Sequence, residues 1–198
     1  MSKIVCDISI SADGYSAGTN QTEERPFGDA DESILHGWMF DTPEENQAEL
    51  DAITKAKAFI MGRNMFGPIR GQWTGDWSGW WGPAPPYQAP VFVLTHYQRD
   101  PLVMEGGTTF HFVTDGIEAA LAQASAVSGD ANIAIAGGAS TVNQYLAARL
   151  LDELRLHVTP FTLGAGTRIF DGVPPLKLDQ ISSRGATQVT HVTYHVID

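Results

Sequence analysis

Three short runs of wholly apolar residues constrain this chain more than any other feature: Ala58-Phe-Ile-Met61, Val91-Phe-Val-Leu94 and Ile133-Ala-Ile-Ala136. Apolar runs of this length, without polar alternation, read as strands buried on both faces, and such strands need cover on each side. The intervening sequence supplies it. Thr42-Pro43-Glu44-Glu45 combines a capping threonine, a first-turn proline and a capping-box glutamate, which predicts a helix to about Lys57. Asp115-Gly-Ile-Glu118 repeats the capping box and predicts a helix through about Val127. Val142, Tyr145, Leu146 and Leu150 recur at helical spacing. Alternating strands and helices imply an α/β fold with a mostly parallel central sheet and helices on both faces.

Three further stretches complete the sheet. Lys3 to Ile10 alternates weakly and reads as a strand. Asp152 to Thr159 places Leu154, Leu156 and Val158 on one face and Arg155, His157 and Thr159 on the other. Leu176–Ser183 and Gln188–Ile197 read as a C-terminal antiparallel hairpin turning at Arg184-Gly185-Ala186. With 198 residues, no internal repeat and no linker, residues 1–198 are expected to form a single domain.

Charge narrows the function. The formal net charge is −11 with only 12 Lys and Arg, which argues against a nucleic-acid or anionic-membrane surface. The acids concentrated between Glu23 and Asp51 read as a solvated face. The single cysteine, Cys6, rules out an internal disulfide framework and a four-cysteine zinc site, and no His-Glu-x-x-His spacing suggests another metal. No apolar run approaches the ~20 residues of a membrane span, and Met1 to Ile10 lacks a signal-peptide core. A cytoplasmic protein is the expectation.

In an open parallel sheet, ligands bind beyond the carboxyl ends of the strands. Three strands here end in residues suited to a phosphorylated ligand. Gly62-Arg63-Asn64 offers close backbone approach and a planar guanidinium. Thr95-His96 adds a hydroxyl and an imidazole. Gly137-Gly138-Ala139-Ser140-Thr141 runs into a helix, whose first-turn amides and dipole favour an anion. A P-loop and a Gly-x-Gly-x-x-Gly fingerprint after the first strand are both missing, as is a Gly-x-Ser-x-Gly elbow. Residues 71–90 hold four of the five tryptophans among glycines and prolines, so no regular element fits. Such a loop either packs over a site or forms an aromatic plug or subunit contact.

These blocks carry a resemblance. Ser11-Ala-Asp-Gly-Tyr15, Met61-Gly-Arg63, Pro90 to His96, Gly137 to Leu146, Leu151 to Leu156 and Leu163-Gly-Ala-Gly166 with Phe170 resemble, in order, the dihydrofolate reductase-like family. The closer branch is the reductase domain of riboflavin biosynthesis. The resemblance implies the three-layer dihydrofolate reductase-like fold, NADPH bound across the carboxyl edge of the sheet, and a homodimer. It implies that Arg63 contacts the adenosine 2′-phosphate, with Gly62, Asn64, Thr95 and His96 at the same end. Gly137 to Thr141 would cradle the pyrophosphate, and the loop from Ala12 to Ala17 would border the nicotinamide. A guanidinium facing a phosphate dianion favours NADPH over NADH.

The implied activity is an NADPH-dependent oxidoreductase of the aminouracil reductase or dihydrofolate reductase type. It would transfer a hydride to a small planar heterocycle, pteridine- or pyrimidine-like, or to a conjugated carbonyl or imine. Asp13 and His157 are the candidates for orienting substrate or supplying a proton; Asp13 also suits an Asx turn. His111, His191 and His195 are expected to face solvent. The alternative reading is a non-catalytic module that binds a dinucleotide or flavin.

Overall fold

The first strand, β1 (Ile4–Ser11), shows how the layers are made. Cys6, Ile8 and Ile10 enter one apolar cluster, while Val5, on the opposite face, enters another. Strands with two apolar faces follow: β3 (Ala58–Gly62), β4 (Pro90–Leu94), β6 (Thr109–Val113) and β7 (Ile133–Gly137). With β5 (Leu102–Val103), β8 (Glu153–Thr159), β10 (Lys177–Ala186) and β11 (Val189–Ile197) they form a nine-stranded sheet ordered β10-β11-β8-β1-β7-β3-β4-β6-β5. The run from β8 to β6 is parallel; β11 and β10 extend it antiparallel at one end and β5 at the other. A separate pair joins β2 (Tyr15–Ala17) to β9 (Thr167–Arg168). The computed structural model describes residues 2–68 and 70–197.

Helices cover both faces, as buried strands require. On one side α4 (Gly116–Ser128) buries Ala120 and Ala124, and α5 (Ala139–Ala147) buries Val142, Tyr145 and Leu146. The Tyr145 hydroxyl donates to the Ile117 carbonyl at 2.7 Å, so the buried phenol is satisfied. The other side carries α1 (Glu32–Phe40), α2 (Gln47–Ile53) and the single turn α3 (Arg63–Phe66).

Several sequence expectations need correction. Upstream of the expected helix start at Thr42 the structure holds α1, capped by Asp31 accepting from Ser33 N at 2.9 Å and anchored by buried Leu35 and Trp38. The expected helix from Thr42 divides into a 3₁₀ turn, Pro43–Asn46, and α2, ending at Ile53. The cause is visible: buried Asn46 donates through Nδ2 to the carbonyls of Trp38 and Thr42. Thr42 makes no side-chain cap, and Glu45 instead accepts from Thr187 N and Oγ1. Asp115 likewise precedes α4 without a side-chain cap.

The hairpin turn lies later than expected, where Glu45 contacts Thr187. Ala186 pairs with Val189, so the turn is Thr187-Gln188, with Gln188 at φ +65°, and Arg184 to Ala186 belong to β10. His191 does not face solvent. It is 6% exposed, because β11 lies inside the sheet under Trp38 and Asn46. His195 is exposed as expected, and His111 is half-buried against Phe92.

Candidate active site

Parallel strands leave their carboxyl ends along one rim, and the register brings three of the predicted ends together. Met61 pairs with Gly137 across β3 and β7, and Gly62 pairs with Leu94 across β3 and β4. Gly62 packs so closely on Thr141 that a side chain at 62 would collide with the threonine hydroxyl. Arg63 Nη1 lies 3.5 Å from Thr95 Oγ1, which also accepts from Tyr97 N at 3.2 Å. The tips carrying Arg63, Thr95 and the paired glycines therefore share one edge. His96 is exposed beside them, and Asn64 Oδ1 accepts from Arg70.

The chemistry of this edge suits an anion. Nε and Nη2 of Arg63 are shielded from solvent yet have no acceptor, and among the described residues no carboxylate pairs with Arg63. Burial lowers its pKa from the ordinary arginine value. At the start of α5, Gly138 offers no side-chain cap, and a Cβ placed there would meet no atom within 4 Å. Thr141 and Val142 return their N–H groups to the Gly138 carbonyl, which leaves the amides of Ala139 and Ser140 as first-turn donors. Thr141 is buried against Gly62, so its side chain packs the rim together.

The RibD C-terminal domain family matches residues 2–192. The chain belongs to this family. Solved structures agree on the fold. A protein assigned to riboflavin biosynthesis from Shewanella sp. PV-4 is 22% identical at TM-score 0.67, with 99% of each chain covered. The RibD protein of Acinetobacter baumannii is 13% identical at TM-score 0.63, and the match covers 100% of this chain but 59% of that one. Dihydrofolate reductase from Enterococcus faecalis, in a complex with NADP(H), is 15% identical at TM-score 0.57, covering 99% and 97%. No functionally curated protein matches. The fold is dihydrofolate reductase-like, and membership in the RibD C-terminal family supports a reductase role. Among the described residues no helix is long and apolar enough to cross a membrane.

Within this RibD-type domain, the two candidates for substrate chemistry are tied up in different ways. Ala12 follows β1 and donates its N–H to the Phe161 carbonyl at 2.7 Å. Asp13 accepts from Ser11 Oγ at 2.6 Å, Leu163 N at 3.0 Å and Gly164 N at 2.8 Å. The Ser11 bond first, helped by those amides, lowers its pKa to about 2. Asp13 is thus a carboxylate that laces the loop after β1 to the loop after β8. Sequence alone placed it at a turn; the long-range amides come only from the fold.

His157 is 2% exposed and lies under Trp38, with ring centroids 4.7 Å apart. Its Nδ1 is 2.8 Å from Nδ1 of His191, whose Nε2 is 2.9 Å from Asn46 Oδ1. Because the Asn46 amide nitrogen is already donating, its oxygen accepts and His191 Nε2 donates. A neutral His191 then accepts at Nδ1 from His157, whose Nε2 faces Asp7 Oδ1 at 3.4 Å. Asp7 Oδ2 accepts from Arg155 Nη1 at 3.1 Å, and Arg155 also pairs with Glu153. This polar layer, missed from sequence, had one signal: Asp7 is the one charged residue of β1, and it lies in register with Arg155.

Acid should unfold this layer early. Burial, followed by the charge of His157, lowers the pKa of both His36 and His191 to about 4. Between the ordinary value near 6.5 and about 4 the unfolded chain therefore binds more protons, and folding loses stability as pH falls. Thermal unfolding followed by circular dichroism should show Tm dropping steadily from pH 6.5 to 4.5. A flat Tm over that window would contradict the burial of these imidazoles as neutral groups.

Proposed function

We propose that the domain is an NADPH-dependent reductase acting on a small planar heterocycle or a conjugated carbonyl or imine. One observation carries the cofactor assignment: Arg63 holds two buried N–H groups without an acceptor, on the same rim as the paired glycines before α5. A phosphate monoester would satisfy the guanidinium, and a pyrophosphate suits the amides at the helix start. In this reading Gly62, Arg63, Asn64, Thr95 and His96 hold the adenosine end. Gly137 to Thr141 hold the pyrophosphate, and Ala12 borders the nicotinamide.

When bound, NADPH supplies the hydride. The chain's own part is to fix the orientation of the two reactants and exclude water between them. Asp13 contributes by holding the loop after β1 in place. His157, bonded to His191 and packed under Trp38, belongs to the polar layer behind α1.

The restraint on Asp13 and His157 favours one second reading, a dinucleotide-binding module without turnover. Purified protein separates the two. At 100 times its dissociation constant NADPH should add about 2.7 kcal/mol of stability in either case. Only the reductase oxidises NADPH when pteridines, pyrimidines or conjugated imines are offered, as followed by absorbance. Binding without oxidation across that panel would favour the module; absence of NADPH binding would end both.

A further inference from the structure

The tryptophan-rich segment does more than close the sheet. Trp81 stacks on Phe110 and meets Tyr87 edge-on, and Trp77 donates to the Phe66 carbonyl at 2.8 Å, so these rings plug the second core. Trp73 behaves differently. Its ring lies under the Arg63 guanidinium, 3.8 Å from Cζ to centroid, the nearest cation–ring approach among the described residues. Trp73 is itself pinned: Nε1 donates to the Tyr97 carbonyl at 2.8 Å, and Phe66 and Phe112 abut it edge-on.

The choice of partner matters chemically. A carboxylate would hold Arg63 equally well, but it would occupy the N–H edge and cancel the charge. An indole face holds the guanidinium by its plane and leaves the edge uncommitted. Resting on the NADPH reading above, we propose that Trp73 is a positioning residue that makes Arg63 selective for a phosphate ester at the adenosine 2′ position. Because Nε and Nη2 are shielded from solvent, an arriving phosphate reaches them only as the packing around the guanidinium, which includes the Trp73 ring, adjusts. Binding should therefore change the environment of the Trp73 indole.

The test uses the whole chain with Trp73→Phe, Trp73→Leu and Trp73→Ala, each checked for fold by circular dichroism. Dissociation constants for NADPH and NADH are measured by calorimetry, and 2′-AMP binding by tryptophan emission. The ratio favouring NADPH should fall roughly fivefold to thirtyfold in Trp73→Leu, which keeps bulk but lacks a π face. Trp73→Phe should keep most of the ratio while losing the emission change that 2′-AMP causes in the wild type. If Trp73→Ala does not fold, the Phe and Leu pair still decides. A ratio unchanged in Trp73→Leu, with wild type discriminating, overturns the role of Trp73 alone. A wild type that binds NADPH no better than NADH overturns the cofactor reading beneath it.

Discussion

Replacing Arg63 with alanine should weaken NADPH binding roughly 10- to 150-fold and leave NADH within about twofold, as measured by calorimetry. The range follows from about 1.5–3 kcal/mol for hydrogen bonds to a charged group. The asymmetry follows from geometry. Arg63 reaches Thr95 only at 3.5 Å and no carboxylate, so its removal disturbs little of the fold while deleting the rim's uncommitted cation. Arg63→Lys should recover only part of the loss, because an ammonium has no planar fork and stacks less well on Trp73. Equal losses for NADPH and NADH would show that Arg63 supports the rim without reading the 2′-phosphate.

The second large effect concerns stability. Asp7→Ala should destabilise the fold by about 3 kcal/mol, because removing one member of a buried ion pair strands the other. The Asp7 side chain is 7% exposed and pairs through Oδ2 with Arg155 Nη1 at 3.1 Å, while its Oδ1 lies 3.4 Å from His157 Nε2 with no hydrogen bond between them. For a domain of this size the melting temperature should fall roughly 6–12 °C. Asp7→Asn keeps the volume and one acceptor, and should cost less. NADPH affinity should stay within about twofold in both variants, since the polar layer lies under α1 and α2, away from Arg63. A loss below about 1 kcal/mol would mean that Arg155 is adequately held by Glu153.

Much of the fold was legible in the chain. The apolar runs at 58–61, 91–94 and 133–136 all became strands, and their parallel pairing set Arg63, Thr95 and Gly137 at adjacent tips. The reading failed where a polar residue serves a distant partner. Glu45 looked like a helix cap but bonds Thr187, and Asn46 broke the helix by turning back to Trp38. Trp38 and Leu35 make α1 a helix through burial, and a stretch rich in acids gave little local sign of it.

The sites divide in the same way. Arg63 and the glycines are visible because strand ends in a parallel sheet converge whatever the loops do. Asp13 and His157 were recognisable as chemistry but not as roles. Asp13 reaches Leu163 and Gly164 across the fold, and His157 bonds His191 beneath Trp38. Trp73 stood out by composition, while its place under Arg63 depends on a bond to Tyr97. Local patterning thus determined which segments are strands and where an anion could sit, since periodicity and steric punctuation act over a few residues. Only tertiary packing decided which polar side chains are consumed by structure, because those partners lie up to 151 positions apart and burial alone selects among them.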